Sequence, residues 1–325
     1  MLKTAISTVK TYFTGQDSDQ NESGYDFTQD YERDTLTKSH CIHCEYETWQ
    51  DDKGECMNCD QQQVKTSSRP HKKLHLVINF SGGKDSCAVL HELCTRYPDT
   101  PKSVVFADTG WEHEGIIKWC INIVSRYGLK LHVVKSSTKD FISMVRDRGM
   151  FPSASYRQCT SDLKRAPIQK WIRNNIDTSD GTVIVNCMGI RAQESHSRRK
   201  QPRLQRRKGE CNSIRTVWQW QPIKDWLVED VMSCLKGADL PLHPAYEYLP
   251  RLSCRMCIFN SNKEIVAIKE NDPETFRVMS DLEEEIGHTM KMEYDKVSKN
   301  SLPISLKEIV NKERERLNAP QRKGQ

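Results

Sequence analysis

Six consecutive residues directly after an apolar run combine a flexible turn with hydroxyl groups and a cation. They are Ser81, Gly82, Gly83, Lys84, Asp85 and Ser86. The two glycines allow positive φ and a close approach of the backbone to a ligand, while the lysine and the serine hydroxyls can bind phosphate oxygens. A helical pattern follows the turn, so its N–H groups would face an anion at a helix N-terminus. The pattern predicts a phosphate-binding loop whose spacing differs from Walker A.

The cysteines indicate metal or redox chemistry. The 325 residues contain 13 cysteines, and three pairs have Cys-x-x-Cys spacing, which in an intracellular chain is more typical of metal or redox sites than of a disulfide framework. Two of the pairs lie close together, at Cys41, Cys44, Cys56 and Cys59. Four thiolates at this spacing can close a tetrahedron around Zn²⁺. Such a site has no open coordination position, so we expect it to stabilise the chain or to dock a sulfur-donor or partner protein.

Apolar runs that alternate with helical patterns predict an α/β fold. The predicted strands start at residues 74, 102, 131 and 182. This alternation favours a doubly wound parallel sheet, with ligands at the carboxyl ends of the strands. Trp218 and Trp220 alternate with polar residues, so we expect them to pack in a further strand rather than to stack on bases.

Charge and hydropathy limit the classes of protein. The net charge is +5, the mean hydropathy is -0.72, and no apolar run reaches the roughly 20 residues that a membrane span requires. Residues 1–13 lack the apolar region and cleavage site of a secretory signal, so we expect a cytoplasmic protein without membrane partners. Residues 198–208 hold seven Lys or Arg residues, a pattern that predicts contact with DNA or RNA.

Further motifs follow the predicted strands in a fixed order. They are Asp108-Thr-Gly-Trp-Glu112, Phe151-Pro-Ser-Ala154, Arg157-x-Cys-Thr-Ser-Asp-Leu-Lys164, Gly189-x-Arg-x-x-Glu-Ser195, Trp220-x-Pro-Ile223, and His243-Pro-Ala-Tyr246 leading to Arg251-Leu-Ser-Cys-x-x-Cys-Ile258. With residues 81–86, which resemble the SGGKDS signature of PP-loop ATP pyrophosphatases, they make residues 74–260 similar to the phosphoadenosine-phosphosulfate reductase family. The match is best with its phage- and bacterial-type branch, which is related to DNA phosphorothioation ATP pyrophosphatases.

The resemblance implies an adenine nucleotide site that uses ATP and Mg²⁺. It implies that residues 81–86 hold the pyrophosphate and that Asp108 and Gly110 line the adenylate pocket. It further implies a clamp for phosphate or sulfate, formed by Lys164, Arg191 and Arg198. Glu194 would orient Arg191 or bind Mg²⁺.

The resemblance also implies an iron–sulfur cluster, because relatives use cysteines in the matching regions as ligands. Cys159, Cys254 and Cys257 would supply three ligands of a 4Fe–4S cluster, which needs four. The candidates for the fourth are Cys211, Cys187 and Cys234, and Cys211 suits best because it lies in a polar loop. The alternative is a local redox pair at the Cys-x-x-Cys. Residues 258–325 contain no cysteine, so this tail cannot supply the C-terminal nucleophile of the thiol-dependent reductases.

These observations support three hypotheses for the function. The first is an ATP pyrophosphatase-type enzyme that adenylates an acceptor for sulfur transfer to a nucleic acid. The alternatives are an iron–sulfur-dependent sulfonucleotide reductase and a non-catalytic nucleotide-sensing regulator or DNA-binding protein. The predicted organisation is a disordered arm (1–35), a zinc module (36–62), a linker (63–73), a PP-loop domain (74–235), a cysteine-containing part of the core (236–270) and a helical, basic tail (271–325).

Overall fold

A computed structural model describes residues 37–41, 46–50, 73–295 and 299–318. Near the N-terminus, strands β1 (Thr37–Cys41) and β2 (Tyr46–Gln50) pair antiparallel, with Cys41 opposite Tyr46. The first Cys-x-x-Cys therefore begins at the end of β1. Cys44, Cys56 and Cys59 lie outside the described residues, as do the predicted arm and most of the linker, so the zinc module stays a prediction.

A six-stranded sheet forms the centre of the molecule. Its strands are β3 (Leu74–Asn79), β4 (Lys102–Asp108), β5 (Leu131–Lys135), β6 (Val183–Met188), β7 (Leu204–Arg206) and β8 (Thr216–Trp220). Their order is β5-β4-β3-β6-β8-β7, with every pair parallel except β7 and β8. After β3 the chain adds β4 and β5 on one side of it. The chain then crosses over, and β6 pairs with the other side of β3. The residues after β3 and β6 therefore meet at a topological switch point, where open α/β sheets bind ligands.

Helices cover both faces of the sheet. They are α1 (Lys84–Arg96), α2 (Ile116–Ser125), α3 (Phe141–Arg148), α4 (Ala166–Asn175), α5 (His196–Arg199) and α6 (Val228–Gly237). On one face, α1, α2 and α6 share a buried core with the strands; on the other, α4 packs through Ile168 and Ile172 onto Val77 and Val217. The predicted doubly wound α/β fold is confirmed.

The C-terminal part adds a second core. Helices α7 (Asn262–Asn271), α8 (Pro273–Ile286) and α9 (Leu306–Asn318) enclose it with α3, and a hairpin of β9 (Lys291–Asp295) and β10 (Asn300–Ile304) precedes α9. The sequence predicts a helical tail and misses this hairpin, because Met292, Tyr294 and Leu302 are exposed and the strands show no buried alternation. No described helix has both the length and the apolar character needed to cross a membrane.

Candidate active site

The predicted phosphate-binding loop lies between β3 and α1, and its conformation depends on its glycines. Gly82 has a φ of +75°, and a Cβ there would lie 2.8 Å from the Cys120 sulfur. The Ser86 hydroxyl donates to the Gly83 carbonyl at 2.9 Å and accepts from the Ser81 N–H at 3.2 Å, which closes the turn. Among residues 73–295 we find no acceptor for the N–H groups of Gly82 and Gly83. The loop therefore retains two backbone donors for an anion.

Lys84 is the first residue of α1 and is largely buried, with 8% of its surface exposed. Its ammonium lies 3.2 Å from the Asp85 carboxylate. Burial of a charge is costly unless the charge is paired, and Asp85 provides the pair.

Tyr246 contacts the loop from the C-terminal side of the sequence. Its hydroxyl accepts a hydrogen bond from the Lys84 N–H at 2.9 Å, and the Lys84 ammonium lies 5.7 Å from the centre of its ring. Burial raises the pKa of Tyr246, so the hydroxyl stays protonated at neutral pH. The motif His243-Pro-Ala-Tyr246 marked this region, but sequence reasoning gave the tyrosine no role. A contact across 162 positions leaves no local signal.

Asp85 also contacts Arg191, which follows β6. The Arg191 Nε lies 2.5 Å from Asp85, and the arginine is 5% exposed. Gly189 makes this approach possible, because a Cβ there would lie 3.0 Å from the backbone of Asp85. The two strand ends at the switch point are thus joined by a triad of Lys84, Asp85 and Arg191, in which both cations are buried and which carries one net positive charge.

Glu194 and Arg198 continue this arrangement outward. The Glu194 carboxylate accepts from the Arg191 N–H at 2.9 Å and forms an ion pair with Arg198. Glu194 therefore contacts the backbone of Arg191 rather than its guanidinium. The predicted clamp residues Arg191 and Arg198 lie together, each already paired with a carboxylate.

The end of β4 forms the next part of this edge. Asp108 accepts from the Gly110 N–H at 2.9 Å, and Gly110 has a φ of +73°. A Cβ on Gly110 would lie 2.7 Å from the Cβ of Asp140, so only glycine fits. Thr109 donates to Glu112 at 2.8 Å. The predicted adenylate residues thus lie at the carboxyl end of the strand next to β3.

Three cysteines and Lys164 lie close to Glu112. We call Glu112, Lys164, Cys159, Cys254 and Cys257 the thiol cluster. The Lys164 ammonium lies 3.5 Å from Glu112 and 3.7 Å from the Cys254 sulfur. The predicted clamp residue Lys164 therefore lies with the cysteines and contacts neither Arg191 nor Arg198.

Burial controls the protonation of this cluster. Burial raises the pKa of Cys254 to about 12, although the positive charge of Lys164 opposes this shift. The pKa of Cys159 is also raised, first by burial and then by the nearby Cys257. Cys254 and then Glu112 raise the pKa of Lys164. At neutral pH Cys159 and Cys254 are therefore protonated thiols, and Lys164 is an ammonium group beside them.

The described side chains do not form the predicted iron–sulfur or Mg²⁺ sites. Among the described residues, no group of three or more His, Cys, Asp or Glu side chains is arranged to hold a metal ion. Cys211 does not join the other cysteines, because its sulfur accepts from the Val217 N–H at 3.3 Å and it packs on the α4 face. Asp85 and Glu194 are paired with cations. As arranged, these residues fit neither an iron–sulfur cluster nor Mg²⁺.

The basic run 198–208 is ordered rather than a loop of free cations. It contains the end of α5 and strand β7. Arg203 is 2% exposed and forms an ion pair with Asp225, and Arg207 pairs with Glu210 at 3.0 Å. This corrects the expectation that the whole run faces a polyanion. Trp220 is fully buried and Trp218 packs on the same core, so the packing prediction is confirmed.

Comparisons with known proteins point to one protein family. Residues 75–259 match the model of the phosphoadenosine phosphosulfate reductase domain. An uncharacterised protein of Methanocaldococcus jannaschii is 28% identical over 62% of this chain and 40% of its own length. A phosphoadenosine 5'-phosphosulfate reductase of Alteromonas mediterranea is 27% identical over 53% of this chain and 64% of its own length. The chain thus spans less than two thirds of either relative.

Among solved structures, the phosphate complex of a phosphoadenylyl-sulfate reductase from Candida auris is similar. It has a TM-score of 0.37 and 14% identity, covering 54% of this chain and 77% of that chain.

Proposed function

Because the chain belongs to the phosphoadenosine phosphosulfate reductase domain family, we propose that it is an ATP pyrophosphatase-type enzyme that adenylates an acceptor. An oxygen of the acceptor attacks the α-phosphorus of ATP, and the bond from that phosphorus to the oxygen bridging to the β-phosphate breaks. Pyrophosphate leaves with the electron pair, and the acceptor proton passes to solvent. We also propose that the acceptor is a nucleic acid that is activated for sulfur transfer.

The observation that carries this proposal is the loop at the switch point. Two backbone N–H groups without acceptors among residues 73–295, a buried ammonium and a helix N-terminus all lie within residues 82–84. Together they provide positive charge and donors for a leaving pyrophosphate, and groups fixed before the reaction stabilise developing charge most effectively. Asp85 holds Lys84 and Arg191 in position without cancelling their combined charge.

The thiol cluster supports the sulfur step of the proposal. Its member Cys254 is two residues after Leu252 in the sequence. A Cβ on Gly83 would lie 3.6 Å from the Cβ of Leu252. A sulfur held there would lie beside the same strand edge as the nucleotide. Lys164 stabilises a thiolate at Cys254 once a proton is removed.

A second candidate is reduction of a small sulfonucleotide, which the Cys254–Cys257 pair favours. Two thiols would be oxidised to a disulfide, two electrons would reduce the sulfonate to sulfite, and the adenine nucleotide would leave. The raised pKa of Cys254 affects both candidates alike, because the thiolate is the reactive form in either reaction.

The test is pyrophosphate release from ATP by the full chain, with and without single-stranded DNA, RNA or small acceptors. We expect Lys84→Ala to lower the rate by roughly 100-fold, the scale of losing one preorganised charge contact of about 3 kcal/mol. Lys118→Ala removes an equal charge from an exposed site on α2 and should change nothing.

Two results would count against the adenylation proposal. Equal pyrophosphate release by Lys84→Ala would place the reaction elsewhere. Release of sulfite from a sulfonucleotide and dithiol, without any pyrophosphate from ATP, would support the reductase instead.

A further inference from the structure

A cleft lined by arginines lies away from the phosphate-binding loop, between α4 and the segment that joins β7 to β8. Its volume is about 300 Å³. We call it the arginine cleft. Its lining residues are Arg165, Gln169, Ile172, Arg173, Arg207, Gly209, Glu210, Arg215 and Val217. Four guanidinium groups and one carboxylate give this lining three net positive charges.

One wall of the cleft is a single helical face. Arg165, Gln169 and Arg173 recur at intervals of four residues and therefore share a side of the helix. Arg165 and Arg173 are exposed, and neither makes an ion pair or side-chain hydrogen bond with the described residues. Both guanidinium groups are therefore available to a ligand.

The opposite wall holds its arginines in fixed positions. The Arg207 Nε lies 3.0 Å from the Glu210 carboxylate, and the Arg215 Nε donates to the Glu210 carbonyl at 3.0 Å. Each guanidinium has five N–H donors, so most of them remain free for a ligand. The wall itself is ordered, because the Arg207 N–H donates to the Val217 carbonyl at 2.8 Å.

The length of the cleft favours a chain of phosphates over a single one. Arg165 and Arg173 are eight positions apart, which corresponds to roughly 12 Å along a helix axis. The rise per nucleotide of one strand in a B-DNA duplex is about 3.4 Å, and an unstacked single strand is more extended, so this distance spans more than one phosphate. Guanidinium groups also match the geometry of phosphate oxygens better than ammonium groups do.

The cleft begins next to the thiol cluster. Arg165 directly follows Lys164, and both lie in the π-helical turn Ser161–Arg165 that precedes α4. Lys164 contacts Cys254 and Glu112, whereas Arg165 lines the cleft. A strand bound along α4 would therefore end beside the thiols.

We propose that the arginine cleft binds the backbone of a single-stranded nucleic acid and leads it toward the thiol cluster. The proposal depends on the proposed function only in naming that strand as the acceptor. It also moves the nucleic-acid contact from residues 198–208 to the cleft, and the two share only Arg207.

The test is fluorescence anisotropy of labelled single-stranded DNA and RNA with the full chain over a series of salt concentrations. We expect Arg165→Gln with Arg173→Gln to weaken binding roughly 100-fold, or about tenfold for each arginine that loses its charge-assisted hydrogen bonds. The slope of log affinity against log salt should become shallower by about 1.4, or about 0.7 per lost contact. Arg173→Gln alone, on an exposed position at the end of α4, should show half of the change in slope.

The matched control is Arg199→Gln with Lys200→Gln, which removes the same charge from exposed positions at the end of α5. We expect it to bind like the wild type. Equal weakening by this control would overturn the proposal and favour the basic run. Wild-type protein that binds no strand would also overturn the proposal. Competition by inorganic polyphosphate as strong as that by the oligonucleotide, phosphate for phosphate, would also overturn it.

Pyrophosphate release by the wild-type protein separates this proposal from the proposed function. Release of pyrophosphate without binding of the strand would contradict the cleft alone. Binding of the strand without release would contradict adenylation alone.

Discussion

At the scale of single residues, the site depends on charges that are buried and paired before any ligand binds. Asp85 lies between Lys84 and Arg191, so neither cation is left unpaired in a buried position. Breaking such a pair from one side leaves an uncompensated charge, which is far more costly than losing a surface ion pair. We infer that the triad fixes the loop for an anion.

A first prediction at this scale concerns the reactivity of Cys254. Burial raises its pKa to about 12, so alkylation by iodoacetamide should be slow at neutral pH and rise steadily in alkaline solution. Lys164→Met removes the charge that favours the thiolate, so it should slow alkylation further, about tenfold for each unit of added pKa. The measurement is peptide-resolved mass spectrometry at pH 9, with Lys170→Met on the exposed face of α4 as control. Faster alkylation in Lys164→Met would contradict the assignment.

His113 supplies a second prediction, on acid stability. It is 7% exposed, and burial followed by the neighbouring His243 lowers its pKa to about 4. The unfolded chain binds a proton near pH 6.5, so the contribution of neutral His113 is complete above that pH and is lost as the pH falls toward 4. The loss could reach about 3 kcal/mol, at about 1.4 kcal/mol per pH unit.

We therefore expect His113→Phe to flatten the decline in free energy of unfolding between pH 6.5 and 4. Urea unfolding at several pH values would measure it. His91→Phe is the control, because burial also lowers the pKa of His91 but by less than that of His113, and it should flatten the decline less. An unchanged pH profile in His113→Phe would refute the prediction.

At the scale of elements, the site depends on how closely the end of β6 approaches the start of α1. The two elements meet without an intervening side chain at Gly189, and the contact atoms on α1 belong to its backbone. Backbone atoms at a helix start cannot rotate away as a side chain can. The same approach brings Arg191 to Asp85, so the geometry of the triad follows from the packing of these elements.

Gly189→Ala tests this packing. Its Cβ would lie 3.0 Å from the Asp85 carbonyl carbon, so we expect destabilisation by about 1–3 kcal/mol, the usual cost of overpacking. Nucleotide binding should also weaken, because α1 must shift. Gly237→Ala at the end of α6 is the control, since its Cβ would meet nothing within 4 Å and alanine favours the helix. Thermal unfolding of the two variants measures the difference, and equal melting temperatures would contradict the argument.

At the scale of the whole molecule, one segment joins the nucleotide site to the thiol cluster. Tyr246 contacts Lys84, and Leu252 packs on both the core of the sheet and the C-terminal core. The Trp111 indole donates to the Met256 carbonyl at 3.2 Å, and the Arg255 N–H donates to the Trp111 carbonyl at 3.1 Å. Changes in the thiol cluster can therefore reach the loop through covalent neighbours.

The predicted zinc module gives the prediction at this scale. We expect the full chain to bind about one zinc through four cysteines, as closed tetrahedral sites do. Cys44→Ser should release the metal, whereas Cys94→Ser on α1 should not. A chain that starts at Lys73 should lose the zinc and keep its affinity for nucleotides, because the sheet begins at Leu74. Elemental analysis and nucleotide titration measure both, and zinc retained by the shortened chain would contradict the prediction.

The sequence by itself determined the strands that carry the site and the edge of the sheet where the site lies. Strand runs such as 74–79 and 102–108 are apolar and bounded by glycine-containing turns, so periodicity and turn residues locate them. Since carboxyl ends of parallel strands share one edge, the loop at residues 81–86 and the Asp108 motif had to lie near each other.

Only the tertiary structure decided which side chains meet. Lys164 and Arg191 are both basic residues of the predicted clamp. Lys164, in the turn before α4, lies with the thiols, whereas Arg191, after β6, lies with Asp85. Burial of Lys84, pairing of Arg203 with Asp225, and the separation of Cys211 from the other cysteines all depend on contacts between distant positions. Local periodicity carries no information about such contacts, since they arise from the packing of whole elements.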